Sequence, residues 1–210
     1  MTKSAFRIGK AAGLALVALM AAQRSVAAQD TTDRPPVFPG QYPITGADVR
    51  FISGMIGHHA QAIVMAGWAP THGASASIRT LCERIINAQT DEIALMQRWL
   101  RDRHQPVPEA KAGPMKMMMN GVEHDMLMPG MLSEDQMKQL DAARGLEFDR
   151  LFLRFMIQHH RGAVTMVTEL FASPGAGQDE GVFKMANDIQ ADQTTEINRM
   201  TKMLLTMPGE

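Results

Sequence analysis

Two copies of one motif, Met-x-x-His-His, stand out among the 210 residues as groups that could do chemistry. The first copy begins at Met55 and contains His58 and His59, and the second begins at Met156 and contains His159 and His160. Imidazole suits copper and zinc, and thioether sulfur selects Cu(I). The motif therefore predicts metal binding, with Cu(I) as the favoured ion and zinc or iron less favoured.

Both copies of the motif lie within a longer internal repeat. Residues 48–66 align with residues 149–167 at a shift of 101, and 8 of the 19 positions are identical. A shift of 104 aligns the helix that follows each motif, where Gln89 and Glu92 match Gln193 and Glu196. Neither copy could bury its apolar face alone. The repeat therefore predicts two helical hairpins that pack together as one four-helix bundle.

Helix start and stop signals place the elements that must position these residues. They predict helices over 45–68, 75–103 and 179–206, and a long helical stretch over 133–172 with a bend at Gly145. No alternating strand pattern of useful length is present, so the fold class is predicted to be all-α. The predicted organisation is a first hairpin over 45–103, a linker over 104–132 and a second hairpin over 133–207 in one domain with the first.

Glu92 and Glu196 are predicted to lie in otherwise apolar helix stripes. Burying a carboxylate is costly unless it has a partner, and the predicted partners are the histidines of the facing helices. Two interpretations remain open. In one, the histidines, glutamates and methionines form one or two metal sites in the core. In the other, each glutamate accepts a hydrogen bond from one imidazole in a metal-free polar network.

The candidate metal ligands of the core come from all four predicted helices. They are His58, His59, His159, His160, Met55, Met65, Met156, Met166, Met96, Met200, Glu92 and Glu196. The alternative for each of these methionines is packing, because the flexible thioether side chain fills irregular gaps in cores.

The predicted linker is unusually rich in methionine. It carries seven methionines within 17 residues, at positions 115, 117, 118, 119, 126, 128 and 131. A linker has little core to fill, so these side chains predict a second soft-metal site. Its candidate ligands are Met117, Met119, His124, Met128 and Met131. The alternative is a hydrophobic flap that covers one end of the bundle.

The first residues have the order typical of an export signal. Residues 1–28 combine a basic start, a short apolar run and small residues before a cleavage site near Ala28, and a proline-rich leader follows over 29–44. Because residues 1–28 hold four basic residues and no acidic ones, cleavage would change the formal net charge from −1 to about −5. This balance favours neither nucleic acid nor an anionic membrane surface as a partner. The single cysteine, Cys82, excludes an intramolecular disulfide.

The motifs resemble a known family at three places. These are residues 51–59, residues 148–160 and Met128-Pro-Gly-Met131, and the resemblance covers about residues 45–206. They are similar to the bacterial ferritin-like double-histidine family, catalogued as domain of unknown function number 305. The resemblance implies a ferritin-like bundle, export to the periplasm, and copper binding in some members. The chain departs from ferritin because it has no Glu-x-x-His motif.

Three functions compete at this point. The first is a periplasmic copper-binding protein that uses histidine and methionine for sequestration, resistance or delivery, in exchange with copper-handling proteins. The second is a ferritin-like metal-dependent oxidase, which the shortage of inward carboxylates disfavours. The third is a metal-free structural helical bundle. The favoured function is metal binding without catalysis, and the sequence leaves the oligomeric state open.

Overall fold

The computed structural model describes residues 42–119 and 121–208. Within these residues, five helices and two strands follow one another. They are α1 (Gly46–Gly67), α2 (Ala76–Asp102), β1 (Met115–Met119), β2 (Val122–Met126), α3 (Glu134–Ala142), α4 (Gly145–Ala172) and α5 (Glu180–Leu205). The prediction of a mainly helical protein is confirmed. The predicted signal peptide and most of the predicted leader lie outside the described residues.

Two local predictions were wrong. The linker contains an antiparallel hairpin, in which Met115 of β1 pairs with Met126 of β2. The sequence signal for it was the dipeptide Asn120-Gly121, which favours a two-residue hairpin turn. The predicted long helix over 133–172 is two helices, because Ala143 is extended and Gly145 has a φ of 59°. Arg144 between them is also extended, so the chain leaves helical geometry over three consecutive residues, which ends one helix and starts another.

The repeated helices pack in pairs. α1 packs against α2, α4 packs against α5, and α1 packs against α4. Two repeat-related aspartates also join the halves. Asp48 of α1 accepts a 2.7 Å hydrogen bond from the backbone of Gly177, just before α5. Asp149 of α4 accepts 3.2 Å bonds from the backbone of Ser75, the residue before α2. Each hairpin therefore holds the start of the other hairpin's second helix.

The buried apolar side chains of the described residues form two clusters. One cluster is built around Phe51, Leu100 and Val167, and the other around Leu81, Phe148 and Phe152. Among the described residues, no helix is both long and apolar enough to cross a membrane.

Candidate metal centre

The two histidine pairs meet in the interior, where α1 faces α4. All four rings are 0% exposed to solvent. The rings of His58 and His159 lie one over the other, with centroids 3.8 Å apart and planes inclined by 37°. His59 and His160 lie to either side, with ring centroids 6.3 Å and 6.2 Å from their sequence neighbours. The prediction that both motifs face one shared core region is confirmed.

Three of the four imidazoles donate one ring N–H to an acceptor at the edge of the core. His59 Nε2 donates to Glu92 over 2.7 Å, and His160 Nε2 donates to Glu196 over 2.7 Å. His58 Nε2 donates to the carbonyl of Pro129 over 3.0 Å. A carbonyl or a carboxylate can only accept, so the proton of each neutral ring sits on Nε2 and Nδ1 keeps a bare lone pair.

These bare nitrogens have no hydrogen-bond partner among the described residues. The unpaired atoms are Nδ1 of His58, His59 and His160 and both ring nitrogens of His159, together with amide atoms of Gln89 and Gln193. A buried polar atom without a partner is rare in proteins and indicates a bound water, an ion or a functional role. Histidines that bind metals usually donate their second N–H to a carboxylate or a backbone carbonyl. The donor set therefore fits a metal.

Burial keeps these rings in the neutral form that can bind a metal. Burial, helped by the neighbouring His59, lowers the pKa of His58 to about 3. Burial likewise lowers the pKa of His159 well below its ordinary value, and the facing His58 lowers it further. The pKa of His160 is lowered by burial, although Glu196 opposes this shift. At neutral pH the proton therefore does not compete for the nitrogen lone pairs of these three rings.

The glutamates are placed as the polar-network interpretation predicted. Each accepts from one imidazole, and the Glu92 and Glu196 side chains are 21% and 16% exposed. In the part of the chain that the structure describes, no group of three or more His, Cys, Asp or Glu side chains is arranged to hold a metal ion. The glutamates therefore position the imidazoles of His59 and His160, and the rings that face each other between the two repeats are those of His58 and His159.

The six core methionines divide between the two apolar clusters. Met55, Met96 and Met166 lie in the first, and their repeat partners Met156, Met200 and Met65 lie in the second. All six are at most 5% exposed. Their surroundings match the packing interpretation, with one exception: Met166 also reaches a cavity outside the core.

That cavity is lined by methionines from the linker and from α4. It has a volume of about 440 Å³, and its described walls include Met115, Met126, Met128 and Met166. A Cβ atom on Gly54 of α1 would lie 2.9 Å from the sulfur of Met128 and 3.5 Å from that of Met115. The absence of a side chain at Gly54 therefore makes room for two sulfurs in one notch. We call the 440 Å³ cavity the thioether cavity; Gly54 lines a neighbouring cavity that shares Met115 and Met128 with it.

The other linker candidates are not among the described walls of this cavity. Met117 pairs with His124 in the hairpin, Met119 pairs with Val122, and the His124 side chain is exposed. The side chains of Met117 and Met119 lie outside the described part of the structure. Met131 is buried, at 6% exposed.

Sequence reasoning missed part of the site. Met115 and Met126 were counted in the methionine-rich linker but not singled out as ligands. Their pairing across the hairpin, signalled by Asn120-Gly121, brings both to the cavity. The carbonyl of Pro129 was also missed, because no side-chain pattern marks a backbone acceptor.

Repeated helical hairpins with paired histidines at their contact define a class of helical double-histidine proteins. The chain belongs to the DUF305 family (domain of unknown function), whose model matches residues 48–204. No protein of curated function matches the sequence.

Solved structures with this fold include members of the same family and a copper protein. A DUF305 fragment from Deinococcus radiodurans is 28% identical, with a TM-score of 0.65 over 79% of this chain and 99% of that chain. A secreted DUF305 protein from Streptomyces coelicolor is 27% identical, with a TM-score of 0.63 over 76% and 92%. CopM in its Cu(I)-bound form is 29% identical, with a TM-score of 0.57 over 77% and 98%. Structures of CopM bound to Cu(II) and to Ag are also similar to this chain.

Proposed function

We propose that this protein binds copper, above all Cu(I), through thioether and imidazole donors. The thioether cavity carries the proposal, because four methionines line it, one each from β1, β2, the segment after β2 and α4. Packing explains buried methionines in the core, but Met126 at 38% exposed does not fill a core. Neutral thioether sulfur is a soft donor, and among common biological ions it favours Cu(I).

The second donor set is the imidazole core, by which we mean the buried rings of His58, His59, His159 and His160. Nδ1 of each of the four rings is buried and has no partner among the described residues. Nε2 of His59, His160 and His58 donates to Glu92, Glu196 and the carbonyl of Pro129, which holds these three rings. The rings of His58 and His159 face each other, so imidazoles from both repeats lie in one region of the core. The CopM structures bound to Cu(I), Cu(II) and Ag support copper as the ion for this chain.

The location and the use of the metal are part of the proposal. The signal-like order of residues 1–28 favours export to the periplasm, where the protein would sequester copper or pass it on. The four long helices would form a ferritin-like bundle. Glu92 and Glu196 each accept a hydrogen bond from a histidine, which is the arrangement of groups that position imidazole ligands.

Titration of the metal-free protein with Ag(I), Cu(I) and Zn(II) at pH 5 and pH 7 tests the proposal. Thioethers carry no proton to lose, so the cavity should bind Ag(I) and Cu(I) at pH 5 but not Zn(II). The ¹³C shifts of methionine methyl groups report which sulfurs bind. Binding at pH 5 should shift the methyl groups of Met115, Met126 and Met128.

A matched pair of variants separates binding from packing. In the first, Met115, Met126 and Met128 are changed to Leu, which keeps volume and apolarity nearly constant. In the control, the half-buried Met137, Met203 and Met207 outside the cavity are changed to Leu. At pH 5 the first variant should lose the Ag(I)-induced shift of the remaining cavity methionine, Met166, and the control should keep it. The methyl shift is the readout because His58 also stays neutral at pH 5. Equal Ag(I) binding by both variants would refute the thioether site.

A further inference from the structure

Residues 128–132, which we call the strap, connect the β1–β2 hairpin to α3 and lie across α1 and α4, the helices that carry the histidines. The carbonyl of Pro129 accepts from His58 of α1. The side-chain amide of Gln61, also on α1, holds Leu132 at both backbone atoms: it accepts from the N–H over 2.7 Å and donates to the carbonyl over 3.0 Å. Gln158 of α4 donates to the carbonyl of Gly130 over 3.3 Å. The strap is thus fixed to both repeats.

Direct backbone contact sets how closely the strap approaches α4. A Cβ atom on Gly162 would lie 1.9 Å from the carbonyl oxygen of Pro129 and 2.5 Å from the Cα of Gly130. Both atoms belong to backbone, so no side-chain rotation could relieve that overlap. Gly130 itself has a φ of 77°, which favours glycine. Any residue larger than glycine at position 162 must push the strap outward.

The strap contacts fall where the two repeats differ. Under the shift of 101, Gln61 aligns with Gly162, Gly57 with Gln158 and Gly54 with Phe155. Gln61, Gly162 and Gln158 contact the strap directly, and Gly54 leaves room for the sulfur of Met128. The histidines are identical in both repeats. The positions at which the repeats differ are therefore the ones that let the linker pack on one face of the paired helices.

We propose that the strap couples the thioether cavity to the imidazole core. Its first residue, Met128, lines the cavity, and its second, Pro129, holds the N–H of His58 so that Nδ1 stays free to bind. A soft ion on Met128 would restrain the strap. The hydrogen bond from His58 to Pro129 would then become stronger, because the conformational entropy lost in ordering the strap has already been lost on ion binding. The coupling is reciprocal: whatever holds His58 on Pro129 favours ion binding in the cavity. This inference rests on the proposed function.

The first test displaces the strap without altering any donor side chain. Gly162→Ala should push Pro129 away from His58, whereas the control Gly67→Ala adds the same methyl group where nothing lies within 4 Å. Long-range ¹H–¹⁵N spectra of the metal-free protein should show His58 as the Nε2–H tautomer in wild type and G67A. In G162A this signature should be lost. Ag(I) affinity at pH 5, followed by methionine methyl shifts, should fall at least about fivefold in G162A only, the lower end of typical couplings.

The second test runs in the other direction and does not require G162A to fold. His58→Ala removes the donor to Pro129 and should weaken Ag(I) binding in the cavity about fivefold or more. His58→Gln, whose amide can still donate, should restore most of that affinity. Conversely, Ag(I) added at pH 5 should slow solvent exchange of the His58 ring N–H in wild type but not in Met128→Leu.

The outcomes separate this inference from the proposed function. If Ag(I) shifts no methionine methyl group in wild type, the proposed function fails. The tautomer of His58, measured in metal-free G162A, then still tests whether Pro129 positions this ring. If wild type binds Ag(I) but G162A and His58→Ala bind it equally well, the coupling is refuted and the thioether site stands. Loss of binding in both His58→Ala and His58→Gln would also refute the strap as the connection.

Discussion

His58→Gln should flatten the pH dependence of the stability of the metal-free protein. The folded protein holds His58 with a pKa of about 3, against an ordinary value of 6.5. Between about pH 3 and pH 6.5, the His58 imidazole is therefore protonated in the unfolded chain but not in the folded protein. Stability must therefore fall as the pH falls, by about 1.4 kcal/mol per pH unit below pH 6.5. From pH 7 to pH 4 the contribution of His58 is a loss of about 3 kcal/mol.

Glutamine is the informative replacement because its amide can donate to the carbonyl of Pro129 but cannot titrate in this range. Urea unfolding followed by far-UV circular dichroism at pH 7, 6, 5 and 4, with a chelator present, gives the free energy of unfolding at each pH. We expect H58Q to lose about 3 kcal/mol less than wild type over this range. His159 remains in both proteins, so part of the pH dependence should persist.

His124→Gln serves as the control, because this histidine is exposed on β2 and should leave the wild-type dependence unchanged. The reasoning is refuted if H58Q and wild type lose the same free energy between pH 7 and pH 4 with unchanged m values. That result would mean that His58 is not held neutral by burial in the folded protein.

Three further predictions concern other contacts. Glu92→Ala leaves the N–H of His59 without its partner and should destabilise the metal-free protein by about 1–3 kcal/mol in urea unfolding, whereas Glu92→Gln, which can still accept, should cost less. Asp48→Ala removes the acceptor of Gly177 and the capping box of α1, and calorimetry should show a loss of at least about 1 kcal/mol; an unchanged melting temperature would contradict it. If residues 1–28 are an export signal, N-terminal sequencing of protein recovered from the periplasmic fraction should begin near Gln29, and an intact Met1 in the membrane fraction would show an anchor instead.

The sequence by itself determined the repeat, the helices and the chemistry of the core. Apolar spacing and capping residues act within a few turns, so the ends of α1, α2 and α5 could be predicted to within a residue or two. A repeat that includes His58-His59 and His159-His160 implies that equivalent faces pack together, because each copy must bury the same surface. This symmetry was enough to predict that both histidine pairs lie near the glutamates.

Only the tertiary structure decided how the linker joins that core. The carbonyl of Pro129 reaches His58 across 71 positions of sequence, and backbone acceptors have no signature in side-chain patterns. The roles of the methionines were likewise open from their residue type alone. Met55 and Met156 pack in apolar clusters, whereas Met115 and Met128 meet over Gly54 because the hairpin and the strap dock there. A thioether packs or binds according to what surrounds it, and those surroundings come from chain segments far apart in sequence.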